Sequence, residues 1–324
     1  MRSVAMLDSY SGVAVLAALR RFEVPVIGAV VTDPTALRAL RRLPDTAGIE
    51  LIDGTSEGLA QAATRVAGLR PALALSLFWS GDPVTLTGGV PAVRILRIDD
   101  LRPDRSYTVD ALPWALACGV RELTVRLRRT RAGDGHSGSW RRVIPIGDDH
   151  DLAALAEHVA RQLLVHIETP AEPARPGPAW PPDDAGPPPA GRRVALSPRI
   201  EWARTSVDIA NLVRALAPPA SGAWTTWEGN RIVVGRARPA DLAGGAALAG
   251  TILATGDGGT FVRTGDGVLL LNGLRDAIGP VDDGRLRVGG RLGIDLVEEI
   301  GILQQRVTDL EHVVRCLARR HELL

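Results

Sequence analysis

The chain has 324 residues, 45% of them apolar, with 38 basic and 37 acidic side chains and a formal net charge of +1. That is a length for two domains with proper cores, and too small a net charge to create a large field toward nucleic acid or an anionic membrane. Every basic residue is arginine, which excludes a lysine Schiff base and a phosphate-loop lysine.

In chain order, residues 4–7 read as a first strand and 13–19 as part of a first helix. Residues 25–32 (PVIGAVVT) form a near-continuous apolar run, as a strand buried on both faces does. Residues 72–79 and 93–98 are further strand candidates. Strands alternating with helical patterns predict a parallel α/β sheet, with a ligand crevice outside the carboxyl ends of its strands. Asp8 interrupts the N-terminal apolar stretch, so no signal peptide is expected. No apolar run is long enough to span a membrane. Cys118 and Cys316 lie far apart and in no metal-like spacing. The expectation is a reduced, cytoplasmic protein without a metal.

Arg121, Arg126, Arg128, Arg129, Arg131, Arg141 and Arg142 surround a loop containing Asp134 and His136. Arg126 and Arg128 are candidates for binding an anionic ligand: a nucleotide sugar, a carrier-protein phosphopantetheine or folate glutamates. The alternative is a solvated hairpin with Val125 and Leu127 facing inward. Asp99, Asp100 and Asp110 are neighbouring carboxylates that could act as bases, or as helix caps and turn residues. His150, His158 and His166 recur every eight residues and read as surface histidines rather than metal ligands. Residues 170–189 hold nine prolines in twenty positions, an extended interdomain spacer.

The most informative stretch is 199–272. A helical pattern (Val207, Ile209, Leu212, Val213, Leu216) stops at Pro218 and Pro219. Short β-runs separated by glycine turns follow, which suggests a small barrel. The glycines of TGDGGTF and TGDG follow strands instead of opening a helix, so they are turn glycines, not phosphate loops. The ordered set Ile200, Glu201, Trp202, Ile209, Arg214, Ala215, Leu216, Pro218, Gly222, Ala223, Trp224, Glu228, Gly229, Gly250, Thr251, Ile252, Gly265, Asp266 and Gly267 resembles the C-terminal domain of the methionyl-tRNA and sugar-amine formyltransferases. The resemblance implies an N-terminal Rossmann-like formyltransferase domain (1–169) and an OB-like barrel domain (194–292); the proline-rich stretch reads as the linker between them (170–193), and a C-terminal helix (293–324) lies beyond the family's usual domain end.

The resemblance also implies a chemistry, transfer of a formyl group from formyl-tetrahydrofolate to an amine. The family uses an Asn and a His two residues apart, ahead of a Ser-Leu-Leu-Pro-like run, and an Asp on a later loop. An amide and an imidazole steady the developing oxyanion, and the carboxylate helps manage the amine's proton. Leu101-Arg102-Pro103 is the best match to the end of that run, which puts Leu96 and Ile98 at the Asn and His positions. No His precedes His136 and no Asn precedes Asn211, so the pair is missing in any register. If Gly138 matches the family's loop glycine, His136 stands where the Asp belongs, with Asp134 two residues away. Leu and Ile side chains neither donate a hydrogen bond nor carry a proton.

Leu296, Leu303, Leu310, Leu317 and Leu324 recur every seven residues, with Ile300, Val307 and Val314 four positions after successive leucines. β-Branched residues at a with Leu at d favour a parallel two-stranded coiled coil, and Arg306 at g would face Glu311 at e of the partner. The expectation is a homodimer through Leu296, Ile300, Leu303, Val307, Leu310, Val314 and Leu317. The alternative is packing of this helix on its own barrel.

Three functions follow as expectations. The first is a repurposed or non-catalytic subunit that binds a small molecule or supports an active enzyme partner. The second is a diverged formyl-tetrahydrofolate-dependent transferase with Asp134, His136 and Asp100 in new roles. The third is a tRNA- or carrier-protein-binding module, although acids and arginines nearly balance over 199–295, which argues against tRNA.

Overall fold

The computed structural model describes residues 1–81, 83–96, 108–130, 136–168, 193–256, 258–281, 285–294, 300 and 304–312. The chain divides into two compact units, residues 1–198 with 211–222, and residues 199–210 with 223–324.

The first unit begins β1 (Ser3–Leu7), α1 (Tyr10–Arg21), β2 (Val26–Val31), α2 (Pro34–Arg41), β3 (Glu50–Asp53), α3 (Leu59–Leu69), β4 (Leu73–Leu77), α4 (Pro83–Thr87) and β5 (Ala92–Leu96). It continues with β6 (Thr108–Val109), α5 (Ala111–Ala117), β7 (Glu122–Thr130), β8 (His136–Pro145), α6 (Leu152–Glu168) and β9 (Arg193–Val194). One sheet runs in the order β3-β2-β1-β4-β5-β7-β8. Its first five strands are parallel, while β7 and β8 form an antiparallel hairpin added beyond β5. The helices cover both faces. One core joins the sheet to α1, α2, α5 and α6; a second, smaller core lies under α3 and α4.

Local sequence explains these elements. α1 starts at Ser9, whose hydroxyl accepts from the Gly12 amide at 3.2 Å. A side chain at position 12 would overlap Leu7 Cβ and the Leu77 carbonyl, so glycine lets α1 lie close to β1 and β4. α2 opens with Asp33 accepting from Thr35 and Ala36, both at 2.8 Å, and with Pro34 in its first turn. In α6, Leu152, Leu155, Ala156, Val159, Ala160 and Leu163 are buried. That i, i+3, i+4 stripe packs against α1.

α7 (Ser206–Ala215) is shared between the two units. The second unit continues with β10 (Ala223–Trp227), β11 (Asn230–Val234), β12 (Arg236–Ala240), β13 (Ile252–Gly256), β14 (Gly259–Arg263) and β15 (Val268–Asn272). β10 and β11 pair around Glu228-Gly229, both at positive φ, the geometry of a primed hairpin turn. The other four strands form an antiparallel sheet, β12-β15-β14-β13. Pro239 lies on its edge strand β12, where a missing amide is tolerated. The described ladders are therefore a hairpin and a four-stranded sheet, and residues 234–236 pass directly from one to the other. Residues 304–312 are helical.

Candidate functional site

In this strand order the chain winds outward from β1 to β3, then resumes on the other side of β1 with β4. The carboxyl ends of β1 and β4 are thus the topological switch point, where a crevice opens in such sheets. Asp8 follows β1 and Ser80 lies just past β4. The Ser80 amide and hydroxyl both donate to Asp8 Oδ2, at 3.2 and 2.8 Å. Asp8 is only 5% exposed, so a carboxylate is held here by design of the loop, not left at the surface. Phe78, the first residue past β4, has φ of 54°. A bulky side chain in the left-handed region is strained, and such strain concentrates at binding sites. Next to it, Trp79 turns inward and its Nε1 donates to Thr32 Oγ1 at 3.0 Å, at the end of β2.

The start of α1 lies beside these strand ends. A helix N-terminus next to a central strand commonly receives a ligand anion. Here the chain supplies its own. Asp110 accepts from the amides of Tyr10 at 2.7 Å and Ser11 at 3.1 Å. Of the two roles open to Asp110 from the sequence, helix cap is the one observed. The Tyr10 phenol is raised above its ordinary pKa, chiefly by burial; Asp110 and Asp33 add to this, while a hydrogen bond with Ser221 opposes it.

A row of arginines runs across the sheet from β5 to β8. Arg94 on β5 donates from Nη2 to the Gly81 carbonyl at 3.0 Å, one residue after Ser80. Arg128 on β7 is directly opposite Arg94, and Arg126 is opposite Leu96 at the carboxyl end of β5. Arg141 on β8 pairs with Arg126. Strand alternation puts these arginines on one face, while Val125 and Leu127 are buried on the other. The segment is thus a hairpin with Val125 and Leu127 on its buried face and a row of arginines on the other.

The same register locates the remaining candidates. Thr130 is opposite Ala92, and His136 is opposite Thr130. The His136 backbone therefore lies level with the amino end of β5, at the far edge of the sheet from the Asp8 crevice. Leu96 is the last residue of β5. Ile98, Asp99, Asp100 and Asp134 lie outside the described residues. The register does not bring the His136 backbone to the carboxyl ends of β1 and β4.

The histidines need a correction. His166 is not at the surface: it is 7% exposed, and its ring stacks on Trp140 of β8 with centroids 4.3 Å apart. Helical spacing alone could not show that a hairpin tryptophan would cover it. His150 and His158 meet edge to face at 4.7 Å. Among the described residues no group of three or more His, Cys, Asp or Glu side chains is arranged to hold a metal, and no described helix is long and apolar enough to cross a membrane. Sequence reasoning missed Asp8 and Ser80 as a pair. The available signal was a lone acid directly after the apolar run Val4–Leu7, and a Ser-Gly step after another apolar strand.

Two motifs of the C-terminal segment have structural roles. Arg214 of α7 donates to the carbonyls of Gly147 at 2.8 Å and His150 at 3.4 Å. Asp266 accepts from the Ser206 amide at 2.7 Å and caps α7. Consistent with that, residues 197–281 match the family model described as formyl transferase, C-terminal domain. The resemblance to the formyltransferase family is thus shown for this segment. Among solved structures, the chain is similar to HypX from Aquifex aeolicus in complex with tetrahydrofolic acid, at 17% identity, covering 86% of this chain and 44% of that one, with a TM-score of 0.46. It is also similar to a 4-N formyltransferase from Francisella tularensis at 10% identity, covering 72% and 96%, with a TM-score of 0.34. Phosphoribosylglycinamide formyltransferase from Streptococcus pneumoniae TIGR4 matches at 14% identity, over 52% and 97%, with a TM-score of 0.33. The chain spans less than half the length of the HypX structure.

Proposed function

We propose that this protein is a formyltransferase-family member that keeps a ligand crevice at the carboxyl ends of β1 and β4 but does not perform formyl transfer in the family's way. In this reading it binds a small acidic ligand, or supports an active partner as a subunit. The hairpin and sheet of the second unit are read as the family's OB-like barrel. The observation that carries the reading is a mismatch. Residues 197–281 match a formyl transferase domain, yet no Asn occurs before Asn211 and no His before His136.

The residues around the crevice suit a reduced folate in charge and polarity. Asp8 and Ser80 offer a carboxylate and a hydroxyl for the nitrogens of a flat heterocycle. Arg94, Arg126 and Arg128 offer guanidinium forks for the carboxylates of a glutamate tail. A bound folate would supply the formyl group; the side chains named here bind and orient. The test is calorimetric titration of the full chain with tetrahydrofolate. Binding that weakens about ten-fold for each of Arg126→Ala and Arg128→Ala, roughly 1.4 kcal/mol apiece, supports the reading. A wild-type chain with no binding at about millimolar ligand removes the folate part of it.

A second reading is a diverged transferase. Its support is the buried Asp8 carboxylate, held by Ser80, a group that can accept a proton from an amine. The relocated pair Asp134 and His136 belongs to this reading as well. If turnover is observed, Asp8→Asn and the double variant Asp134→Ala/His136→Ala separate the two versions by which one abolishes it.

A further inference from the structure

We propose that the stack of His166 on Trp140 is an acid-released latch, which holds the last turn of α6 on the β7–β8 hairpin at neutral pH and frees it in mild acid. His166 lies in that last turn. It is 7% exposed, with its ring centroid 4.3 Å from that of Trp140 on β8. Trp140 is itself half-buried. The neighbouring Val165 is 57% exposed, which puts the stack at the margin of the core, where a local opening uncovers little else.

A neutral imidazole suits this place and a protonated one does not. The Nε2 atom of His166 is buried and has no hydrogen-bond partner among the described residues. In a neutral ring one nitrogen carries no proton; in the protonated ring both are donors. Protonation therefore leaves a buried, charged donor with nothing to receive it, which is costly. The surroundings add to that cost. Strand alternation puts Arg142 of β8 on the face of Trp140, and Arg129 of β7 on the face of Leu127, which is opposite Trp140. Burial first, then the guanidinium groups of Arg142 and Arg129, hold the imidazole below its ordinary pKa.

The other elements packed on α6 bring no counter-charge to this ring among the described residues. α1, α5 and β5 meet α6 through apolar side chains of one core. On α6 itself, Arg161 is paired with Glu157, and His158 faces His150. The attraction of an imidazolium to the Trp140 ring works against release and sets how far the pH must fall. Arg141 follows Trp140 directly and is opposite Arg126 on the other face of the hairpin, so movement of Trp140 shifts the row of arginines. Weaker binding of an acidic ligand in acid is the consequence. That step rests on the function proposed above; the latch itself does not.

The test is hydrogen exchange of the full chain at pH 7.5 and 5.5, read by mass spectrometry and expressed as protection relative to an unstructured chain at the same pH. In wild type, amides of β8 and of the last turn of α6 should lose protection several-fold at pH 5.5, while those of β1 and β4 keep theirs. His166→Phe should hold the same segments at both pH values. Arg142→Gln removes one of the two charges that oppose protonation of the stacked ring, so its acid-driven loss should be smaller than in wild type. A purely packing role for Trp140 would not respond to Arg142, and this variant decides the matter if His166→Phe does not fold. Unchanged wild-type protection at pH 5.5, an equal loss in His166→Phe, or a wild-type loss in Arg142→Gln would each overturn the proposal. Tetrahydrofolate that fails to bind at either pH removes the function and leaves the latch standing.

Discussion

Asp110 and Ser11, 99 residues apart in sequence, hold each other at the start of α1. The Ser11 amide donates to Asp110 Oδ1 at 3.1 Å, the Ser11 hydroxyl donates to the same oxygen, and Ser11 Oγ in turn accepts from the Leu112 amide at 2.9 Å. The first turn of one helix and the first turn of another, α5, are thereby joined through a carboxylate placed on the positive end of the α1 dipole. Asp110→Ala should cost about 1–3 kcal/mol, because it leaves two helix amides and a hydroxyl without their acceptor. Denaturant unfolding of the first unit reads this out. An unchanged midpoint would show that water replaces the carboxylate without loss.

The turn at 264–267 should prove similarly intolerant for a steric reason. A Cβ on Gly265 would overlap the carbonyl oxygen of Ala203, backbone that cannot move aside without disturbing the entry to α7. Gly265→Ala should therefore destabilise the second unit by about 2 kcal/mol or more. Asp266→Ala should cost about 1 kcal/mol through loss of the α7 cap. Asp266 sits below its ordinary pKa, mainly because the Ser206 amide donates to it. Its contribution is present at neutral pH and is lost as the pH falls through the acid range where carboxylates protonate. Equal thermal stability of Gly265→Ala and wild type would refute the close approach.

A pH effect follows from His166. Burial, then the charges of Arg142 and Arg129, hold its pKa below the ordinary imidazole value. The unfolded chain then binds a proton that the folded chain resists. Stability is fully present above about pH 6.5, the unperturbed value, and falls as the pH drops from there toward the folded-state value. His166→Phe keeps a ring against Trp140 and removes the proton. Denaturant midpoints measured at pH 7.5 and 5.5 should differ less for this variant than for wild type. An equal drop in both would assign the acid sensitivity to other groups.

Those three sites mark what was legible in the sequence and what was not. Periodicity and local turn chemistry identified the buried strand at 25–32, the helix before Pro218 and the short strands after it, because each depends on neighbours within a few residues. Asp110 was readable only as a residue type suited to capping; which helix it caps depends on a contact across the fold. Asp8 and Ser80, 72 residues apart, become a pair only once β1 and β4 lie side by side. Alternation marked the β7–β8 segment as a hairpin with one apolar face, but not as an antiparallel extension of the parallel sheet. That placement is what moves His136 to the edge opposite the crevice, and what buries His166 beneath Trp140.

The central claim is that the crevice binds without transferring. Loss of one oxyanion donor typically costs about a hundred- to a thousand-fold, and in the proposed reading both family positions lack one. The direct measurement is turnover of formyl-tetrahydrofolate by the purified full chain, with methionyl-tRNA and with an amino sugar as acceptors. The account predicts rates at least a hundred-fold below about one per second, a usual lower value for enzymes. Sustained turnover near one per second with either acceptor would contradict it.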